Sequence, residues 1–204
     1  LAQRRERESA GSEKTIAVMF ADLRGFTTLS ESKLPFDVVF LLNRYFRSVG
    51  QAVEQAGGRV DKFIGDGMMA LFGLNSPAPL AARQALDACA RIGRALEELN
   101  TAMAAEFGAP LRIGIGLHIG PVVVGVLGHG PATGLTAIGD TVNTASRLES
   151  LSKDHGAPLL ASQAVFDAAG LVPAPGEPHE VALRGRTQTL AVRAVADVAS
   201  LPLS

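Results

Sequence analysis

The chain contains a single cysteine, Cys89, so no internal disulfide framework can staple it, and a reducing, cytoplasmic setting is expected. No apolar run reaches the roughly 18 residues that a membrane span needs. The nearest approach, "GIGLHIGPVVVGVLG", is interrupted by glycines, His118 and Pro121, and reads as strands. Positive charge is not in excess: 19 basic residues stand against 20 acidic. That balance argues against nucleic acid as a partner and against a polybasic membrane contact, so any phosphate ligand must be held by local groups. No GxxxxGK[ST] segment occurs, which rules out a Walker-type phosphate loop. Internal repeats and low-complexity tracts are absent as well. What remains is globular composition, 47% apolar and 19% charged over 204 residues, enough for one domain with a full core.

"LAQRRERESAGSEK", residues 1–14, is highly charged and reads either as a linker from an upstream regulatory region or as a fragment boundary. "TIAVMFA", Thr15 to Ala21, reads as a buried strand. From Pro35 to Ala56, Val38, Leu42, Tyr45, Val49 and Val53 recur at helical spacing, and Gly57-Gly58 stops the helix. "RVDKFIGDGMMALFG" predicts a hairpin turning through Gly65-Asp66-Gly67. A second long helix opens at Pro79 with the stripe Ala85, Cys89, Ile92, Leu96, Leu99. Leu111 to His118 and Val122 to Leu127 read as two strands broken by glycines, and "GDTVNTASRLESLS" as a helix capped by Asp140 or Thr141. A short strand, a small helix and a closing hairpin of "EVALRG" and "TLAVRAV" follow. The order lacks regular βαβα alternation and predicts an α+β sandwich with helices on one face of the sheet.

Asp22 and Asp66 each stand at a strand end beside a glycine or turn. If those ends are neighbours, two carboxylates share one sheet edge, where they repel unless a cation lies between them. Oxygen ligands with phosphate nearby suit Mg²⁺. Two ordinary turn aspartates fit the spacing equally. After Asp22, "LRGFTTLSES" combines a glycine turn with a helix start whose free N–H groups suit an anion, although Thr27 and Thr28 fit simple caps too. Asn143 and Arg147, four apart, share one helix face, as ligands for ribose and phosphate or as a solvated surface. His118 on its apolar strand reads as a core histidine.

In order and spacing, "FADLRGFT", "KFIGDGMMALFG", "GLHIGPVVVGVLG" and "AIGDTVNTASRLES" resemble the catalytic domain of class III nucleotide cyclases, from about Thr15 to Val195. The resemblance implies a ferredoxin-like palm over residues 15–195, a tail at 196–204, and a head-to-tail homodimer with sites at its interface. It implies an adenylyl cyclase, a lyase converting ATP to 3′,5′-cyclic AMP and pyrophosphate with two Mg²⁺ or Mn²⁺ ions. The metals would be held by Asp22, Asp66 and the backbone carbonyl of Leu23, and the triphosphate covered by the turn Arg24, Gly25, Phe26, Thr27. The other protomer would bring Lys62 and Thr136 to adenine, Asn143 to the ribose and Arg147 to the α-phosphate, with Arg184 or Arg186 on the terminal phosphates.

Two departures from the family pattern matter. Many members carry aspartate where this chain has Thr136. A hydroxyl accepts from the adenine amino group but can also donate, so ATP is expected with looser rejection of GTP. That variant resembles the subgroup in which bicarbonate stimulates activity. Pro121 stands where some relatives have a basic residue, leaving charge neutralisation to metals and arginines. Among alternatives, a guanylyl cyclase would prefer glutamate at Lys62, and a non-catalytic sensing or dimerisation module would have lost an aspartate or the Asn/Arg pair.

Overall fold

The run Thr15 to Ala21 forms the middle of a longer strand, β1 (Ser12–Arg24), in the computed structural model, which describes residues 11–183 and 188–202. Both faces of β1 are covered. Ala17, Met19 and Ala21 point into one apolar cluster, Ile16 and Val18 into another, which is why the strand is apolar throughout. The last residues of the expected linker are part of the sheet, since Ser12 pairs with Val124 and Lys14 with Val122.

The remaining elements in chain order are α1 (Phe26–Glu31), α2 (Pro35–Gln55), β2 (Arg59–Ile64), β3 (Gly67–Phe72), α3 (Ala78–Phe107), β4 (Arg112–Leu127), β5 (Gly134–Ile138), α4 (Asp140–Ser152), β6 (Leu159–Ser162), α5 (Gln163–Ala169), β7 (Glu177–Ala182) and β8 (Thr189–Val195). They build an eight-stranded sheet in the order β2-β3-β1-β4-β6-β8-β7, with β5 paired to β4. Only the β4–β6 pairing is parallel among these neighbours. The α+β class holds; the expected packing of helices on one face is met by α2, α3 and α5 but not by α4. α4 lies across the opposite face, where Ala145 packs on Ile16, Val18 and Val122.

Where two strands are expected around Pro121, β4 runs through as one strand of 16 residues. Its glycines serve close approach rather than interruption. A methyl group added at Gly116 would stand 2.1 Å from the backbone nitrogen of Glu149 in α4, and one at Gly120 would stand 2.6 Å from Thr141 Oγ1. α4 begins behind Gly139 (φ 141°) without a side-chain cap, so neither Asp140 nor Thr141 plays that part. Thr141 instead donates to the Pro121 carbonyl at 2.7 Å, fastening the helix start to β4. The segment expected as a tail also packs: Val198 and Leu201 are buried in the main cluster, and Arg94 Nη2 donates to the Ala199 carbonyl at 2.9 Å.

Candidate active site

β1 ends at a sheet edge shared with the tip of the β2–β3 hairpin. Asp22 pairs in register with Gly67 on one side and Gly114 on the other. The hairpin turns at Gly65 (φ 61°) and Asp66, the first central residue left-handed as in a type II′ turn. Gly67 lets β3 close on Asp22, because an added methyl there would lie 3.5 Å from the Asp22 Cγ and 3.3 Å from the Ala21 carbonyl oxygen. Asp66 therefore sits beside Asp22, and the two expected carboxylates converge.

Their electrostatics is that of a site short of positive charge. Burial, followed by hydrogen bonding and repulsion from Asp66, pushes the Asp22 carboxyl from 3.8 up to about 7, and the Glu149 charge adds to the effect. Asp22 Oδ1 is buried without a hydrogen-bond partner. Burial likewise raises the Glu149 carboxyl, against the pull of the Arg24 guanidinium. A divalent cation fits this donor set: two carboxylates and the Leu23 carbonyl would give hard oxygen ligands and relieve the repulsion. No cluster of three His, Cys, Asp or Glu side chains able to close a metal cage exists among the described residues.

The turn after Asp22 differs in detail from expectation. Gly25, φ 68°, is the cap residue of α1, no side chain caps the helix, and an added methyl at Gly25 would meet nothing within 4 Å. Thr27 therefore does not cap the helix; its carbonyl accepts from Ser30 Oγ at 2.8 Å. The Arg24 side chain turns back into the fold. Its Nε donates to the Ile113 carbonyl at 3.1 Å, and Nη2 to Ser152 Oγ at 2.8 Å and the Ala157 carbonyl at 2.7 Å. Arg24 thus ties the end of β1 to β4 and to the end of α4, with its guanidinium committed.

Lys62 and Thr136 are brought together within one chain. Leu135 and Ala137 of β5 join the apolar cluster that contains Met69 and Leu71 of β3, and the Thr136 hydroxyl between them reaches Asp61 and Lys62 of β2. A register shift between Val60 and Lys62 marks a bulge at Asp61. Neighbouring residues of a regular strand face opposite ways, but here Asp61 and Lys62 reach the same place. Lys62 Nζ lies 3.1 Å from Asp61 Oδ2 and donates to Thr136 Oγ1 at 3.4 Å, while the Thr136 hydroxyl donates to Asp61 Oδ2 at 2.9 Å. Regular strand periodicity would put Asp61 on the other face from Lys62, and no sequence signal marks the bulge. β5 itself was also not expected, its Gly-rich surroundings hiding so short a strand.

On α4, Thr144, Ala145 and Leu148 are buried against the sheet, Asn143 is exposed and Arg147 half-buried. Neither the Asn143 nor the Arg147 side chain has a hydrogen bond or ion pair among the described residues. His118 is the buried core histidine expected, its Nδ1 2.8 Å from Ser162 Oγ. Arg184 and Arg186 lie outside the described residues.

The sequence pattern of the adenylate and guanylate cyclase catalytic domain matches residues 8–163. The chain belongs to that family. An adenylate cyclase of Anabaena cylindrica is 36% identical over 160 residues, covering 76% of this chain and 31% of that protein. Adenylate cyclase 1 of Rhizobium meliloti is 38% identical over 160 residues, covering 76% of this chain and 24% of its own length. The chain thus spans less than a third of these curated relatives. The crystal structure of the guanylyl cyclase Cya2 superposes with a TM-score of 0.84 at 32% identity, covering 95% of this chain and 99% of that one. The adenylyl cyclase CyaB from P. aeruginosa follows at 0.79 and 30%, covering 91% and 95%. The fold is therefore the cyclase palm, and the domain is of the adenylyl or guanylyl cyclase class, whose members bind a nucleotide, use divalent cations and dimerise.

Proposed function

We propose that this domain is an adenylyl cyclase converting ATP to 3′,5′-cyclic AMP and pyrophosphate at sites formed between two copies of the chain. The observation that carries the reading is the meeting of Asp22 and Asp66 at one strand edge, with Asp22 pushed up to about 7 by burial and by its neighbour. Such a pair is costly unless a cation joins it. Asp22, Asp66 and the Leu23 carbonyl would hold Mg²⁺ or Mn²⁺, which when bound would acidify the ribose 3′-hydroxyl and offset charge on the phosphoryl groups. The Arg24 to Thr27 backbone would lie along the triphosphate, since the Arg24 side chain is already engaged.

Lys62 and Thr136, in hydrogen-bond contact, would read adenine: the ammonium donates to N1 and the hydroxyl accepts from the 6-amino group. Asn143 would position the ribose. Arg147, unpaired among the described residues, would meet the α-phosphate as charge builds in the transition state, so its contribution falls mainly on turnover. Arg184 or Arg186 would take the terminal phosphates. All these residues come from one chain, so a two-fold dimer would hold two equivalent sites. Exposed Phe63, Ile64, Val126, Leu127 and Ile138 support such a partner, being apolar side chains left uncovered on β2, β4 and β5. Among the described residues no helix is long and apolar enough to cross a membrane.

Guanylyl cyclase activity is the second reading, favoured by the likeness to Cya2. The deciding experiment incubates the purified protein with ATP or GTP and Mg²⁺ or Mn²⁺ and separates the cyclic products, with Asp66→Ala as the inactive control. Cyclic AMP as the main product is expected. Predominant cyclic GMP would establish the second reading, and equal activity in Asp66→Ala would remove the metal assignment. Bicarbonate stimulation rests on the Thr136 resemblance alone, and a flat response to bicarbonate at fixed pH would dismiss it.

A further inference from the structure

The weak point of Thr136 as a reader of adenine is that a hydroxyl both donates and accepts. A freely rotating hydroxyl would serve the 6-amino group of adenine and the 6-oxo group of guanine alike. In the structure it does not rotate freely. Its one proton is directed to Asp61 Oδ2 at 2.9 Å, and a carboxylate only accepts. We propose that Asp61 is a specificity-determining positioning residue: by holding the Thr136 proton and one proton of Lys62, it leaves the hydroxyl only acceptor capacity and aims the ammonium beside it. The proposal rests on the adenine-reading roles of Lys62 and Thr136.

Counting donors supports this. The Lys62 ammonium carries three N–H groups; one faces Asp61 Oδ2 at 3.1 Å and one Thr136 Oγ1 at 3.4 Å. One is left for a ligand. Thr136 Oγ1 has two lone pairs, of which Lys62 occupies one, and the other is left as an acceptor. The pair therefore presents one donor and one acceptor side by side, complementary to N1 and the 6-amino group of adenine. Guanine presents an N–H and a carbonyl at those positions, so a donor would meet a donor and an acceptor an acceptor. A site with its polar groups thus committed rejects the mismatched base by leaving buried groups unpaired.

Asp61 is poorly explained as a stabilising residue. Its side chain is 1% exposed, and Oδ1 has no hydrogen-bond partner. A desolvated carboxylate with one oxygen unsatisfied costs folding free energy, and replacing a buried ion pair by apolar groups is often neutral or favourable. The bulge that turns Asp61 inward breaks a β2–β3 pairing as well.

The test measures kcat/KM for ATP and for GTP separately in the wild type, Asp61→Leu, Asp61→Ala and Asp61→Asn. Leucine fills the buried space, so the comparison survives if the alanine cavity unfolds the protein. In the leucine and alanine variants the ATP-to-GTP ratio should fall by about 3- to 10-fold, the range for one hydrogen bond, with part of the change a gain on GTP. Asparagine, whose amide oxygen can still accept from both Thr136 and Lys62, should hold the ratio within about twofold. A folded leucine variant that loses ATP and GTP activity in equal proportion would overturn the proposal, as would an asparagine variant as indiscriminate as leucine. A wild type that itself prefers GTP would instead overturn the adenine reading on which the proposal stands.

Discussion

Gly116→Ala puts the placement of α4 to a direct test. The added methyl would sit 2.1 Å from the backbone nitrogen of Glu149 and 2.2 Å from the carbonyl oxygen of Ala145. Ordinary contact begins at 3.4 Å, so the helix must withdraw by about 1.3 Å, because backbone atoms cannot rotate away as a side-chain tip can. Overpacking of this kind costs about 1–3 kcal/mol of stability. The larger effect should be on catalysis. α4 carries Asn143 and Arg147, and misplacing a reacting constellation by about 1 Å costs on the order of 10²-fold in rate. Steady-state kinetics with ATP, alongside thermal unfolding, reads both consequences. Gly134→Ala is the control, since its methyl would meet nothing within 4 Å, and it should leave the melting temperature unchanged. A folded Gly116→Ala protein with turnover within about threefold of wild type would refute the link between this contact and the Asn143/Arg147 geometry.

Arg147→Ala should lower kcat by about 10²–10³-fold with little change in KM, as expected for a charge that acts in the transition state; a raised KM at unchanged turnover would count against that role. Asp22→Asn should change the pH dependence of stability. With its carboxyl raised from 3.8 to about 7, folded Asp22 contributes stability that is complete below pH 3.8 and lost as pH rises through about 7. In chelator, the asparagine variant should melt above wild type at pH 8, with the gap closing by pH 4; a gap independent of pH would contradict the assignment. Arg24→Ala removes hydrogen bonds to Ile113, Ser152 and Ala157 and should destabilise the fold by about 2–3 kcal/mol, visible as a lower midpoint in urea. Its KM for ATP should change little, and a selective rise in KM without loss of stability would instead put the guanidinium on the triphosphate.

Several parts of this protein were legible from residue order alone. The strand at Thr15, the helix from Pro35, the hairpin at Gly65-Asp66 and the shared face of Asn143 and Arg147 follow from short-range periodicity and turn chemistry, and all stand in the structure. So does the convergence of Asp22 and Asp66, because a two-residue turn places Asp66 next to whichever strand pairs with β3. The alternative reading of Thr27 as a cap did not hold, because a left-handed Gly25 takes the cap position, and the Arg24 side chain finds three acceptors in β4, α4 and the segment that follows it.

The local pattern of apolar residues, glycines and carboxylates by itself determined the α+β class, the family resemblance and the positions of the acids, since each depends on neighbours a few residues away. Tertiary structure alone decided that β4 runs unbroken, that Gly116 and Gly120 are contact points for α4, and that Asp61 turns inward beside Lys62 and Thr136. A residue's place on a strand can be counted from sequence while the strand is regular. A bulge, a missing Cβ under a helix or a hydroxyl's choice of acceptor depends on which distant segment arrives opposite, and that is settled only when the whole sheet has closed.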